Sequence, residues 1–264
     1  ATLVLADDDV VRLGPDLIDW LQRQRITVLC PPPTLLRTTG CTNPEKALPM
    51  LRLLYVGGEA LPTDLADLWS SGRWMVNGYG PTECAVTVSR DRVQPGKPIT
   101  IGRTVTGNDD LILNENLDLA GSQEAGELAI RGPSVARGYL NRPELTEERF
   151  VDHPVHGRIY RTGDLVKRDD QGRLVYLGRI DSQVKIRGHR VELTEIEACI
   201  CENVDVDAAA CRMQGNNARQ QLVAFVVVKN GKALDAPCLR AHLSRKLPSY
   251  MVPTRFSTIE SLPV

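Results

Sequence analysis

The chain has 264 residues and a mass of 29.1 kDa, enough for one large domain or two smaller ones. Hydrophobic residues make up 42% of it and charged residues 25%, proportions of a folded globular protein, which excludes the disordered and collagen-like classes. The formal net charge is −1, and the longest apolar run, 222–228, is far shorter than the ~20 residues of a membrane span. We therefore expect no nucleic-acid partner and no membrane partner.

The cysteine pattern and the first residues favour a cytoplasmic location. The seven cysteines are an odd number without a Cys-x-x-Cys pair, which predicts reduced thiols rather than a disulfide framework or a zinc ribbon. The N-terminus lacks the basic region that begins a secretory signal, so we expect no such signal. His153 and His156 form an isolated His-x-x-His, which we interpret as surface polar chemistry because no third ligand lies nearby in the sequence.

The first eighty residues alternate between predicted strands and helices, which favours a partial parallel α/β layer. After a short apolar run at 2–6, strands are predicted over 26–30, 51–56 and 74–76, and helices over 16–24 and 61–69. Ligands of such sheets bind at the carboxyl ends of the strands. Gly57-Gly58 and Asn77-Gly78 follow two of these ends and are the first candidates for a binding site.

Short strands dominate the middle of the chain, where glycines and prolines separate them and predict a small β-barrel-like subdomain. These strands are predicted over 86–89, 110–113, 127–131, 159–161 and 173–177.

The last part of the chain reads as a compact α+β subdomain. Strands are predicted over 183–186, 208–213 and 222–228, and a helix over 239–246. Thr194 is predicted to begin another helix, because Thr194-x-x-Glu197 has the form of a capping box. The sequence therefore predicts an α/β fold in three parts, with 1–85 as the α/β layer, 86–179 as the small β subdomain and 180–264 as a mobile C-terminal subdomain.

The segment Asn77-Gly-Tyr-Gly-Pro-Thr-Glu83 is the strongest candidate for chemistry, and it is predicted to be a loop after a strand. Glycines let backbone approach a ligand closely, and a tyrosine between them can stack on a planar base. Thr82 offers a hydroxyl and a backbone N–H to phosphate, and Glu83 offers the hard oxygen that Mg²⁺ prefers. A tight turn with a buried tyrosine and a capping glutamate is the alternative.

Two further segments carry polar groups, and neither is specific by itself. In Tyr160-Arg-Thr-Gly-Asp-Leu165, a carboxylate after Thr-Gly can bind a vicinal diol such as a ribose, or it can complete a β-turn. Residues 176–197 hold a basic cluster that includes Arg179 and Lys185, and a solvated basic face is the simpler interpretation.

Taken together, these segments resemble, in order and spacing, the core motifs of adenylation domains of nonribosomal peptide synthetases, in the ANL superfamily of acyl-adenylate-forming enzymes. The segments 126–132 and 135–140 are similar to the family's GEL and GVARGYL motifs, and 247–253 is similar to its LPxYMVP motif. The run Gln-Val-Lys-Ile-Arg-Gly at 183–188 favours this branch over acyl-CoA ligases and luciferases. The resemblance covers nearly the whole chain.

The resemblance implies a ligase that uses ATP and Mg²⁺ to convert an amino acid or another carboxylic acid to acyl-AMP and pyrophosphate. The acyl group then passes to the phosphopantetheine thiol of a peptidyl carrier protein domain. Because the carboxylate itself attacks the α-phosphorus, the protein contributes positioning and charge stabilisation.

The resemblance also implies residue roles. The catalytic residues are Thr82 at the phosphates, Glu83 as the Mg²⁺ ligand, and Lys185, which faces the active site in the thioester-forming pose. Asp181 is the hinge of the C-terminal subdomain. Tyr79 lies against the adenine, and Asp164 binds the ribose hydroxyls. The other nucleotide-binding residues are Gly58, Glu59, Asn77, Gly78, Gly80, Tyr176 and Arg179. The acid pocket is lined by Cys30, Tyr55, Gly57, Gly78, Val86 and Thr87.

In the family, a phosphate loop precedes the position of residue 1, and a lysine-bearing segment follows the position of residue 264. We therefore expect this chain to be the C-terminal half of an adenylation domain, with the N-terminal half as a necessary partner and with no adenylation by the 264 residues alone. The alternative is a truncated or split fragment that binds nucleotide or a carrier protein without catalysis.

Overall fold

The computed structural model describes residues 2–6, 14–215, 221–229 and 232–262. The chain divides into two compact units, Ala1–Asp181 and Ser182–Val264. No helix within the described ranges combines the length and the apolar composition that a bilayer span requires.

The first unit begins with helices and a sheet in the strand order β1-β2-β3-β4-β5. Its helices are α1 (Leu17–Arg23), α2 (Pro33–Thr38), α3 (Pro44–Ala47) and α4 (Thr63–Ser70). Its strands are β1 (Val28–Leu29), β2 (Leu53–Gly57), β3 (Trp74–Tyr79), β4 (Ser89–Val93) and β5 (Arg103–Thr104). Strands β1, β2 and β3 are parallel, which confirms the predicted layer, and β4 and β5 continue it antiparallel.

Two differences from the predicted elements bear on the site. Strand β3 extends to Tyr79, so Asn77, Gly78 and Tyr79 lie in a strand and the prediction of a loop there was wrong. Both neighbours pair with this extension, β2 through Gly57 and β4 through Ser89, and these ladders hold the motif extended. Conversely, Val86 and Thr87 were predicted in a strand and precede β4 instead, because Val86 has a positive φ of 75° that strand pairing does not admit.

The second part of the first unit is an antiparallel sheet that curls into a half-barrel, in the strand order β10-β9-β7-β6, with β8 also paired to β9. Its strands are β6 (Asp109–Leu113), β7 (Gly126–Arg131), β8 (Phe150–His153), β9 (Gly157–Arg168) and β10 (Leu174–Arg179), and its helix is α5 (Pro143–Arg149). A bridge between Gly102 and Leu174 connects it to the first sheet. The predicted β-barrel-like fold of this part of the chain is confirmed, and the predicted subdomain bounds, 86–179, stay a prediction.

The second unit contains a hairpin and a three-stranded sheet in the order β13-β14-β15. Its strands are β11 (Gln183–Ile186), β12 (His189–Glu192), β13 (Val206–Gln214), β14 (Gln221–Val228) and β15 (Arg255–Thr258). Its helices are α6 (Leu193–Cys201) and α7 (Ala236–Lys246). The predicted capping box is wrong, because Thr194 lies inside α6 and Glu197 accepts a hydrogen bond from the backbone N–H of Cys211 at 2.7 Å.

Each unit has its own apolar core. In the first unit, Leu54 and Val56 point from β2 into a cluster that includes Trp69 of α4, and all three are fully buried. In the second unit, Ile196 and Ile200 of α6 meet Leu239 of α7 in a separate cluster. Burial of apolar surface is the dominant favourable contribution to folding, so each core stabilises the helices and strands of its own unit.

Candidate active site

The carboxyl ends of β1, β2 and β3 lie along one edge of the first sheet, since the three strands are parallel and adjacent. Cys30 follows β1, Gly57 ends β2, and Gly78 lies beside Gly57 in register. A Cβ atom on Gly78 would lie 2.4 Å from Cε1 of Tyr55, so the Tyr55 ring fills the space over this glycine. A Cβ atom on Gly57 would lie 2.7 Å from the carbonyl oxygen of Gly78, so the absence of a side chain at Gly57 lets the two strands approach closely.

The loop after β3 folds tightly against Gly80. A Cβ atom there would lie 2.5 Å from the carbonyl oxygen of Val86 and 2.8 Å from Cα of Thr87. The backbone N–H of Val88 donates to the carbonyl oxygen of Tyr79 at 2.9 Å and closes the loop. Val86 is 75% exposed, so its side chain is accessible to a ligand at this strand edge.

A bulge in β9 places Asp164. Arg161 pairs with Ala129 and Leu165 pairs with Glu127, so residues 162–164 stand opposite a single residue of β7. Gly163 has a φ of 71°, and its backbone N–H donates to Oε1 of Glu127 at 3.0 Å. Glu127, which is 8% exposed, also accepts two hydrogen bonds from the Arg161 guanidinium. A buried side chain of β7 thus holds the bulge that aims the Asp164 carboxylate.

Asp164 joins the two sheets of the first unit. Its Oδ2 accepts a hydrogen bond from the Tyr79 hydroxyl, and its Oδ1 accepts one from Nη1 of Arg179 at 2.9 Å. Tyr79 is 6% exposed and Asp164 is 3% exposed. Burial, followed by the charge of Asp164, raises the pKa of Tyr79 well above its usual value, so its hydroxyl stays a donor. The structure therefore brings together two residues that the sequence predicted from separate motifs.

Arg179 links this carboxylate to Asp181. Its Nε donates to Oδ1 of Asp181 at 2.9 Å and its Nη2 donates to Oδ2 at 2.6 Å, a bidentate pair. Burial lowers the pKa of Arg179, but the hydrogen bonds to Asp181 and the charge of Asp164 raise it overall. Nη2 of Arg149, at the end of α5, lies 3.5 Å from Oδ2 of Asp181. A permanent cation thus connects the predicted ribose carboxylate with the predicted hinge residue.

The Thr82–Cys84 segment forms a 3-10 turn directly after the Gly80-Pro81 pair. The Tyr139 hydroxyl donates to Oε1 of Glu83 at 2.6 Å, and it lies 3.4 Å from the Tyr160 hydroxyl. Burial and the hydrogen bond to Glu83 raise the pKa of Tyr139 above its usual value, so it remains a donor to the carboxylate. Thr82 is exposed and Glu83 is half-buried, which leaves this turn open to a ligand.

Tyr139 is a site residue that sequence reasoning missed. It lies in the 135–140 segment, which the sequence marked as a motif without giving this side chain a role. Its partner Glu83 is 56 residues away, so nothing local could signal the contact. The backbone N–H of Ala136 also donates to the carbonyl oxygen of Glu83 at 2.8 Å, and both bonds fix the turn.

Other predicted nucleotide residues have defined positions. Glu59 accepts bonds from the N–H of Thr34 at 3.1 Å and from its hydroxyl at 3.2 Å, at the start of α2. The Asn77 amide is buried and donates to the carbonyl oxygen of Thr100 at 2.8 Å. Tyr176 is half-buried in β10, and burial, followed by the charge of Asp164, raises its pKa to about 12.

Two further predicted residues, Gly58 and Lys185, belong to different units of the chain. Gly58 follows β2 with a φ of 84°. Lys185 lies in β11 of the second unit, paired in register with Arg190 of β12.

Burial raises the pKa of the Cys84 thiol to about 12, so this cysteine in the predicted phosphate turn is no nucleophile at neutral pH.

His153 ends β8, and His156 lies in the turn that follows it. Nδ1 of His153 accepts hydrogen bonds from the backbone N–H groups of Val155 and His156, both at 3.2 Å. Its Nε2 lies 3.0 Å from the carbonyl oxygen of Leu117, so both ring nitrogens of His153 have backbone partners.

Comparison with known proteins places the chain in a family. The family model described as AMP-binding enzyme matches residues 1–140, and the model described as AMP-binding enzyme C-terminal domain matches residues 195–264. The delta-poly-L-ornithine synthetase of Acinetobacter baumannii is 42% identical over 100% of the chain. The chain spans only 20% of that synthetase.

Solved structures of adenylation domains are similar to this chain in fold. The Vibrio cholerae adenylation domain AlmE, in complex with glycyl-adenosine-5'-phosphate, is 31% identical with a TM-score of 0.83, covering 94% of this chain and 49% of that one. The nonribosomal peptide synthetase protein PA1221, which contains adenylation and PCP domains, is 30% identical with a TM-score of 0.81. That match covers 96% of this chain and 45% of PA1221.

Proposed function

The chain belongs to the AMP-binding enzyme family as a portion of an adenylation domain, and we propose that it takes part in activating an amino acid or another carboxylic acid with ATP. In this reaction a carboxylate oxygen attacks the α-phosphorus of ATP, and the bond to pyrophosphate breaks to leave acyl-AMP. The observation that carries the proposal is the buried Tyr79–Asp164–Arg179 contact beside the open Thr82–Glu83 turn.

Asp164 would bind the ribose hydroxyls of ATP. Its two oxygens already accept from Tyr79 and Arg179, which holds the carboxylate in one orientation. Each carboxylate oxygen can accept more than one hydrogen bond, so a ribose hydroxyl can add to these partners. Tyr79 would lie against the adenine, and Gly58, Glu59 and the backbone of Asn77 and Gly78 would complete the base pocket.

Thr82 and Glu83 would meet the phosphates and Mg²⁺. The donor set fits this metal, since Glu83 offers a hard carboxylate oxygen on a turn that is open to solvent and is oriented by Tyr139. Mg²⁺, when bound, neutralises charge on the phosphate oxygens. The exposed Thr82 hydroxyl and its backbone N–H would hold a phosphate oxygen, which positions the α-phosphorus for the incoming carboxylate.

The second half-reaction would transfer the acyl group to the phosphopantetheine thiol of a carrier domain, forming a thioester and releasing AMP. We assign Asp181 as the hinge and Lys185 as a residue that serves this step. The bidentate Arg179–Asp181 pair supports the first assignment, because breaking it would allow the backbone at 181 to rotate.

The acid is proposed to bind at the strand edge formed by Cys30, Tyr55, Gly57, Gly78, Val86 and Thr87. Tyr55 restricts the space over Gly78, which favours a small or slender side chain. The names of the A. baumannii and V. cholerae relatives, with ornithine and glycyl-adenylate, support an amino acid.

The test is amino-acid-dependent exchange of labelled pyrophosphate into ATP by the full-length protein that contains this sequence. We expect Asp164→Asn to lower kcat/KM for ATP by about 100-fold, since hydrogen bonds to charged groups contribute about 1.5–3 kcal/mol each. The matched control is Asp152→Asn, because Asp152 is an exposed residue of the same sheet. Equal activity of the two variants would refute the role of Asp164.

The alternative is a fragment that binds nucleotide or a carrier protein without catalysis. Nucleotide binding by the full-length protein without exchange, across a panel of amino, aryl and hydroxy acids, would favour that alternative over the proposed activity. If the full-length protein shows no exchange by itself, recovery of exchange on adding a separate N-terminal half would identify a split enzyme.

A further inference from the structure

A cluster of possible metal ligands lies in the second unit, on residues that the adenylation proposal does not use. The Cys199 thiol, the Glu202 carboxylate and the His242 imidazole each present one ligand atom, and these three atoms lie within 4.8 Å of one another. Nε2 of His242 is 3.0 Å from Oε2 of Glu202. These separations approach those between ligands that share one tetrahedral ion, for which metal–ligand bonds are about 2.0–2.3 Å.

Two packed helices hold the ligands in place. Cys199 lies in the last turn of α6 and Glu202 is its C-cap residue, so their spacing of three places them on neighbouring positions of one face. His242 lies in α7, and its neighbour Leu243 is fully buried in the core that also contains Ile200 of α6. The apolar contact between the helices therefore sets the distance between the ligands before any metal binds.

The chemistry of the three groups selects among metals. A thiolate and an imidazole are ligands of Zn²⁺ and related transition metals, whereas Mg²⁺ and Ca²⁺ prefer oxygen alone. Cys199 is 7% exposed, His242 is partly exposed and Glu202 is exposed, so the site has a shielded sulfur and an open outer side. Three protein ligands with one open position are typical of zinc sites that keep a place for water or substrate, whereas structural zinc sites have four protein ligands.

We propose that Cys199, Glu202 and His242 form a binding site for one divalent transition-metal ion, with Zn²⁺ as the best match. The site is independent of the proposed adenylation activity.

Lys246 limits the affinity of this site. Its ammonium donates a hydrogen bond to Oε2 of Glu202, the same oxygen that His242 contacts. A metal ion must therefore compete with this ammonium for the carboxylate. Because a cysteine binds a metal ion as the thiolate, binding must also release the proton of the Cys199 thiol. In the bound state the thiolate and the carboxylate balance the two charges of Zn²⁺, the imidazole is neutral, and the lysine moves to solvent.

The test is Co²⁺ titration of the full-length protein after removal of metals, because a thiolate bound to Co²⁺ gives an intense near-ultraviolet charge-transfer band. We expect one equivalent of Co²⁺ to produce the band and one equivalent of Zn²⁺ to abolish it. Cys199→Ser should lose the band, while Cys238→Ser, which changes an exposed cysteine of α7, should keep it.

Two further variants keep the proposal testable if Cys199→Ser folds poorly. His242→Gln changes a partly exposed side chain and should weaken Co²⁺ binding at least tenfold. Lys246→Met should strengthen binding several-fold, because the competing cation is gone. A wild-type protein without the band, or a band that His242→Gln leaves unchanged, would overturn the proposal.

Discussion

Gly163 occupies a position where a side chain would strike the candidate site. Its φ of 71° belongs to the left-handed region, and a Cβ atom there would lie 2.7 Å from Nη2 of Arg179 and 2.8 Å from Oδ2 of Asp181. Two features therefore favour glycine at this position. The bulge requires a left-handed backbone, and the Arg179–Asp181 ion pair occupies the space that a side chain would need.

Gly163→Ala tests this at the scale of one residue. We expect a loss of about 1–3 kcal/mol of unfolding free energy from backbone strain, together with a higher KM for ATP because Arg179 must shift. Thermal unfolding and pyrophosphate exchange of the full-length protein measure the two effects.

Gly172→Ala is the matched control, since Gly172 has the same φ of 71° and its nearest neighbour would be Nη1 of Arg103 at 3.6 Å. It should show the strain without the change in KM. An unchanged KM in Gly163→Ala would mean that Arg179 does not position the nucleotide.

Residues at the first turns of several helices favour the start of the helix there. Prolines occupy the first turns of α2, α3, α5 and α7, where a missing N–H costs no hydrogen bond. Asp235 caps α7, and its Oδ1 accepts from the backbone N–H of Cys238 at 2.9 Å. That helix carries His242, so its first turn supports the proposed metal site as well as the core.

Asp235→Ala should destabilise α7 by about 1 kcal/mol, the usual cost of removing an N-cap oxygen. The measurement is amide hydrogen exchange in the full-length protein, read from peptides that cover 236–246. Asp235→Asn keeps the capping oxygen and should exchange as the wild type does. Slow exchange in both variants would show that core packing alone sets the start of the helix.

At the scale of the whole molecule, the chain has two separate cores. Leu54 lies in the core of the first unit and Leu239 in the core of the second, and both are fully buried. A buried leucine that is truncated to alanine typically costs about 2–5 kcal/mol. Since neither side chain contributes to the other core, each loss should stay within its own unit.

Leu239→Ala should therefore speed hydrogen exchange in β14, and it should leave β2 protected. Leu54→Ala is the reciprocal variant and should speed exchange in β2 alone. Peptide-resolved exchange on the full-length protein measures both strands in one experiment. Faster exchange in both strands from either substitution would mean that the two units unfold as one.

The sequence by itself determined the local features. The parallel layer followed from apolar runs separated by helical patterns, and β11 was predicted with its observed bounds, Gln183–Ile186. The motif segments were visible because each is continuous in the chain, and their order indicated the family. These features depend on neighbours within a few residues, which is the information that a single sequence carries most directly.

The tertiary structure decided which side chains meet. Tyr79 and Asp164 are 85 residues apart, and their contact depends on how far β3 extends and on the bulge that Glu127 holds in β9. The same is true of Tyr139 and Glu83, and of Cys199, Glu202 and His242. Strand register, bulges and helix packing arise from the combined energy of many distant contacts, so no local pattern could have specified these meetings.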